Sequence, residues 1–222
     1  MVLFFLFIAT LFIHTSLADQ SSSIYRYLQK AGGKIDTATQ TVSVSGDILT
    51  IRYHDTKGHT SISQCSAIDY RMISWRFVNP QKQTDVTVTR KGTELIICGI
   101  SKGKQINRSQ VIDNLPWFQA LELSLAPYCG SAGSGAEFWL VRPTDFTVFR
   151  MKLQRSDKAA AIASVNGAAF ELRMSPSGIP ERLWKATMLV TEAGTFLQSY
   201  LPSLLPGKPP VIETALPSEP GS

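Results

Sequence analysis

Three short stretches carry residue types that could do chemistry. His54 and His59 flank Asp55 around a Lys57-Gly58 turn, and imidazole beside carboxylate is the make-up of a general base or a metal pair. The histidines are five residues apart with no third ligand in the motif, so the spacing assigns them to an exposed turn. Ser131 and Ser134 stand among glycines in GSAGSG. A nucleophile elbow needs Gly-x-Ser-x-Gly between a strand and a helix, whereas this run leads from helix to strand and reads as a flexible connector. Residues 99–104 (GISKGK) have three rather than four residues between the glycines and Lys104-Gln105 where a phosphate loop needs Lys-Ser/Thr. Asn107-Arg108-Ser109 is a glycosylation sequon, meaningful only in a eukaryotic secretory pathway.

Three cysteines, Cys65, Cys98 and Cys129, show no Cys-x-x-Cys spacing. If one pair forms a disulfide, Cys65 with Cys129 is favoured, since both lie at element ends, while Cys98 sits in an apolar run and reads as core filling. No catalytic residue, metal ligand or cofactor site is therefore expected, and the chain reads as a non-enzyme.

The four tryptophans, Trp75, Trp117, Trp139 and Trp184, are a more useful set. Core packing accounts for each. The functional alternative is that they line a ligand cavity together with Phe77, Leu115, Phe118, Leu121 and Leu125.

Residues 2–13 (VLFFLFIATLFI) form an apolar run of about 12 residues, short of the roughly 20 that a spanning helix needs. Ser16-Leu17-Ala18 supplies small residues for a cut before Asp19, so residues 1–18 read as a cleavable signal peptide and the expected location is periplasmic or secreted. No cysteine follows the small residues, so no lipid anchor is expected. The formal charge of +5 is dispersed. It is compatible with weak contact with an anionic membrane surface, but no Arg/Lys stripe interleaved with aromatics points to nucleic acid.

Which elements would position these residues follows from hydrophobic period. Residues 21–33 place Ile24, Tyr27 and Leu28 at helical spacing before Gly32-Gly33, so residues 19–36 read as a short helix and linker. From residue 40 the period is two. About eleven short strands with tight turns follow, at Gly46-Asp47, Lys91-Gly92-Thr93, residues 155–158 and Asn166-Gly167 among others. One stretch, residues 113–129, breaks the pattern. Pro116 suits a first helical turn, and Leu115, Phe118, Leu121 and Leu125 share a face, predicting a helix over 114–126. Residues 202–222 are Pro-rich and read as an extended tail, laid against the body at Val211-Ile212.

The expected fold is mainly β (α+β): a strongly curved antiparallel sheet over residues 37–201, with one or two helices on its concave side. This plan resembles the periplasmic LolA/LolB-like and LppX/LprG-like half-barrel superfamily. Residues 112–142 (IDNLPWFQALELSLAPYCGSAGSGAEFWLVR) and 178–186 (GIPERLWKA) also resemble a subgroup of exported bacterial proteins without assigned function. The resemblance implies that a lipid, acyl chain or acylated protein is bound between sheet and helix. A different class of reading is a cell-envelope interaction module with a fully packed core.

Overall fold

The computed structural model describes residues 22–125, 135–159, 169–203 and 209–217. The expected signal peptide, Cys129, the serines of GSAGSG and the Asn166-Gly167 turn lie outside them.

Among the described residues fourteen strands, rather than the expected eleven or so, form one antiparallel sheet. β1 (Ser22–Ala31), β2 (Lys34–Ser45), β3 (Ile48–Asp55), β4 (Thr60–Ser66), β5 (Met72–Asn79), β6 (Thr84–Lys91), β7 (Glu94–Ser101) and β8 (Lys104–Val111) make a continuous meander. β9 (Ala136–Val141), β10 (Val148–Ala159), β11 (Ala169–Pro176), β12 (Ala186–Thr191) and β13 (Phe196–Leu201) make a second. β14 (Val211–Ala215) lies between β1 and β13 and joins the two. The edges of the sheet are therefore β8 and β9, and no ladder pairs them. Period-two alternation explains the strands: Val86 and Val88 of β6, Leu95 and Ile97 of β7, and Met188 and Val190 of β12 are all buried.

Five expectations about individual segments and residues are corrected. Residues 19–36 hold no helix among those described: residues 22–31 are β1, hydrogen-bonded to β2 on one side and β14 on the other. Satisfying the backbone on both sides outweighs a helical spacing in which Ile24 would have to be buried, and Ile24 is in fact 59 % exposed. Gly32 and Gly33, both at positive φ, turn the chain into β2. The tail supplies an interior strand, so the sheet spans 22–215 rather than 37–201. Residues 155–158, read as a turn, continue β10. Cys98 is half-buried on the outer face and donates to Asn107 Oδ1; it is not core filling.

The fifth correction concerns the break in the β pattern. The helix expected over 114–126 is reduced to one turn, α1 (Leu121–Ser124). Residues 113–120 are non-helical, bent at 114–115 and 119 and extended between, because Pro116 biases Leu115 away from helix and the Asp113 carboxylate accepts the Leu115 N–H in a tight local turn. Trp117 then pairs with Trp139 of β9 in a short parallel bridge, with Phe118 N–H to Trp139 O at 3.0 Å and Trp139 N–H to Pro116 O at 2.8 Å. Arg90 holds the same segment to β6, donating to the carbonyls of Leu115 and Asp113 at 2.8 and 3.1 Å. Arg108 of β8 donates to the carbonyls of Asp145 and Phe146 in the β9–β10 turn. The crossing segment and this arginine tie the two edge regions together without closing the sheet.

Successive side chains of an extended segment point opposite ways. Trp117, fully buried, joins a cluster of Ile51, Trp75, Val86, Val88, Leu95, Ile97 and Phe146 in the N-terminal half. Phe118 joins one of Tyr27, Phe138, Met151, Leu172, Met174 and Met188 in the C-terminal half. An aromatic side chain of this size contributes about 4–6 kcal/mol of transfer free energy, so the segment is a wedge between two cores.

Candidate functional site

Between the two apolar clusters the inward face of the sheet is polar. Tyr27 and Gln29 of β1, Gln40 of β2, Tyr53 of β3, Ser61 and Ser63 of β4 and Glu213 of β14 occupy inward positions, and Glu122 of α1 faces them. The Tyr27 hydroxyl donates to Gln40 Oε1 at 2.7 Å, and Gln40 also bonds the Glu122 carboxyl. Gln29 Nε2 donates to the Tyr53 hydroxyl at 2.6 Å and to Glu213 Oε1 at 3.2 Å. Burial first, then the neighbouring Glu122, pushes the Glu213 carboxyl up to about 8. Burial likewise raises Glu122, and it raises both Tyr27 and Tyr53 far above the ordinary phenol range. At neutral pH Glu213 is therefore protonated, and the centre is rich in hydrogen bonds rather than in charge.

This cluster borders a chamber of about 160 Å³ whose walls include Gln40, Tyr53, Ser63, Trp75, Phe77 and Glu122. Trp75 donates its indole N–H to Ser61 Oγ at 2.7 Å, and Phe77 lies 5.7 Å from it, ring to ring. Two clefts adjoin the chamber. The first, about 320 Å³, shares Glu122 with it and is rimmed by Ile24, Tyr25, Phe196 and Leu216. The second, about 330 Å³, shares Tyr53, Phe77 and Pro143 and is rimmed by Lys57, Lys82 and Lys102. Both have the size of small-molecule sites.

The second cleft contains the histidine motif. His54 and Asp55 are neighbours on a strand and point to opposite faces, so His54 is exposed, 3.3 Å from Thr60 Oγ1, while Asp55 is buried. Asp55 Oδ1 accepts the backbone N–H groups of Lys57 and His59, and Oδ2 lies 2.8 Å from His59 Nδ1. Asn79 Nδ2 stands 2.8 Å from His59 Nε2, which fixes the tautomer with the proton on Nδ1. Both ring nitrogens are engaged, so the imidazole is a brace between two turns rather than a poised base. The exposed-turn expectation is thus corrected for Asp55 and His59, and for His54 the exposure holds but the residue stands on β3 rather than in the turn. Among the described residues no group of three or more His, Cys, Asp or Glu side chains could hold a metal ion.

Of the nine side chains considered as cavity lining, Trp75 and Phe77 are in the chamber wall. Trp117, Phe118 and Leu125 are instead fully buried within the core clusters. Leu121 and Trp184 pack against the C-terminal cluster. Trp139 donates its indole N–H to Asp113 Oδ1 at 2.8 Å, and the Leu115 carbonyl is held by Arg90, so both serve the crossing segment. The polar residues of the chamber carried no aromatic or helical signal. Their trace in the sequence is polar side chains on the inward parity of strands, as in β4, where Ser61, Ser63 and Cys65 face in and Ile62 faces out.

No protein-family model matches the chain, and no curated protein matches it. Among solved structures, the fold is similar to the crystal structure of a beta-barrel-like protein of domain of unknown function DUF1849 from Brucella abortus. The TM-score is 0.59 at 9 % sequence identity, covering 89 % of this chain and 95 % of that one. At that identity the likeness shows the fold alone: an antiparallel, barrel-like β protein.

Proposed function

We propose that this is an exported, non-catalytic binding protein whose interior takes a small amphiphile. The observation that carries the reading is the make-up of the chamber. Trp75, Phe77 and Ile51 offer apolar wall, while Ser63, only 2 % exposed, and Tyr53 bring hydroxyl groups to the same chamber. The Tyr53 hydroxyl accepts from Gln29 and keeps its own proton for another acceptor. A ligand with an apolar body and an acceptor group, such as an acyl ester, would match the apolar wall and accept from the Tyr53 hydroxyl. A bare hydrocarbon would offer these hydroxyls no acceptor, and a donor left unpaired costs about 1–3 kcal/mol.

Native mass spectrometry of the protein purified from its own compartment, followed by extraction, tests this. The expected result is a single amphiphile adduct that Ser63→Phe, which fills the chamber, abolishes. An unliganded wild type, or an adduct that persists in Ser63→Phe, would overturn the reading. The filled clusters on either side of the chamber favour the competing reading of a packed envelope module, and that result would favour it further.

A further inference from the structure

The second cleft differs from the first in charge, and its rim is built rather than loose. Asp55 shapes the β3–β4 turn by accepting the Lys57 and His59 N–H groups. Gln81 Nε2 donates to the Lys57 carbonyl and joins that turn to the 3-10 turn Pro80–Lys82. Thr84 Oγ1 donates to the Lys82 carbonyl and accepts the Lys102 N–H, joining the β5–β6 and β7–β8 turns. Lys102 holds φ at +52°, a conformation that costs a non-glycine residue and is fixed here by that bond. Three turns are thus stitched side by side, and each presents one lysine to the same cleft.

Charge on this rim is unbalanced. Lys57 pairs with Asp36 at 2.5 Å, whereas no acid partner of Lys82 or Lys102 is found among the described residues. Asp55, the single acid lining the cleft, is already engaged by two backbone N–H groups and His59. We infer that this mouth binds the anionic head group, carboxylate or phosphate, of the ligand whose body occupies the chamber. The inference rests on the binding reading above and adds its head-group chemistry and direction. The head sits among Lys57, Lys82 and Lys102, and the body passes Tyr53 and Phe77, which the cleft and the chamber share.

Three probes on the mature chain test it by calorimetry and tryptophan fluorescence: decyl phosphate, decanol and inorganic phosphate. Decyl phosphate is expected to bind about tenfold or more tighter than decanol at low salt, with the advantage shrinking as salt rises. Lys82→Gln/Lys102→Gln should remove that advantage and leave decanol binding unchanged. The equal charge change in Lys91→Gln/Lys185→Gln, two exposed residues that do not line the cleft, should preserve it. Competition by inorganic phosphate would show that free anions share the site, and its absence that the body is needed; both support an anion site. Equal binding of decyl phosphate and decanol, or equal losses in both double variants, would overturn the inference while leaving the binding reading intact. If neither amphiphile binds, both fall.

Discussion

Replacing Glu213 by Gln tests whether the centre of the sheet's inward face is a neutral polar network. The native carboxyl is raised from an ordinary 4.5 to about 8, so between those pH values the folded chain keeps a proton that the unfolded chain has released. Stability from this group is therefore fully present below about pH 4.5 and is lost as pH rises through about 8. At about 1.4 kcal/mol per pKa unit the whole window is worth about 4–5 kcal/mol. For a domain of this size that is a fall of roughly 9–18 °C in Tm. Gln keeps the acceptor for Gln29 Nε2 and cannot ionise, and it also relieves Glu122 of a like-charged neighbour. Urea melts of wild type and Glu213→Gln from about pH 5 to about pH 9 should show the wild type losing stability steeply and the variant losing much less. Parallel profiles would refute the reasoning, because they would mean that Glu213 is solvated and ionised throughout.

Other outcomes follow from the packing. Gly99 has φ +138°, and a Cβ there would sit 2.2 Å from the Asp85 carbonyl oxygen, so Gly99→Ala must force β6 and β7 apart. A loss of about 1–3 kcal/mol in a urea melt is expected. Trp117→Ala empties the wedge position in the N-terminal core and should cost about 3–5 kcal/mol by the same measurement. Arg90→Ala frees the Leu115 and Asp113 carbonyls and should cost about 1.5–3 kcal/mol, with amide exchange accelerating at residues 117 and 118.

Much of the sheet was legible in the sequence because hairpins are local. Gly46-Asp47 and Gly92-Thr93 are where β2–β3 and β6–β7 turn, with Ser45 opposite Ile48 and Lys91 opposite Glu94. What was not legible depends on distant partners. Residues 22–31 match a helical spacing, and only β2 and β14, the latter nearly two hundred residues away, make them a strand. The Val211–Ala215 strand is five residues long beside Pro209-Pro210 and Pro217, a composition that by itself reads as tail. The prolines sit at its ends, where they remove no ladder hydrogen bond. The chamber was hidden for a related reason. Gln40, Ser63 and Glu213 are polar residues facing inward, and alternation alone assigns such residues to solvent. Trp117 and Phe118 were recognisable as important, but their role is to fill two cores rather than to line a cavity.

The proposed function turns on whether the chamber beside Trp75 receives a ligand. An experimental structure of the protein carrying its co-purified adduct tests it most directly. The expected result is ligand density against Trp75 and Phe77, an acceptor group within hydrogen-bond reach of the Tyr53 and Ser63 hydroxyls, and the head toward Lys82 and Lys102. A chamber closed by its own side chains, with the adduct bound elsewhere on the surface, would contradict it.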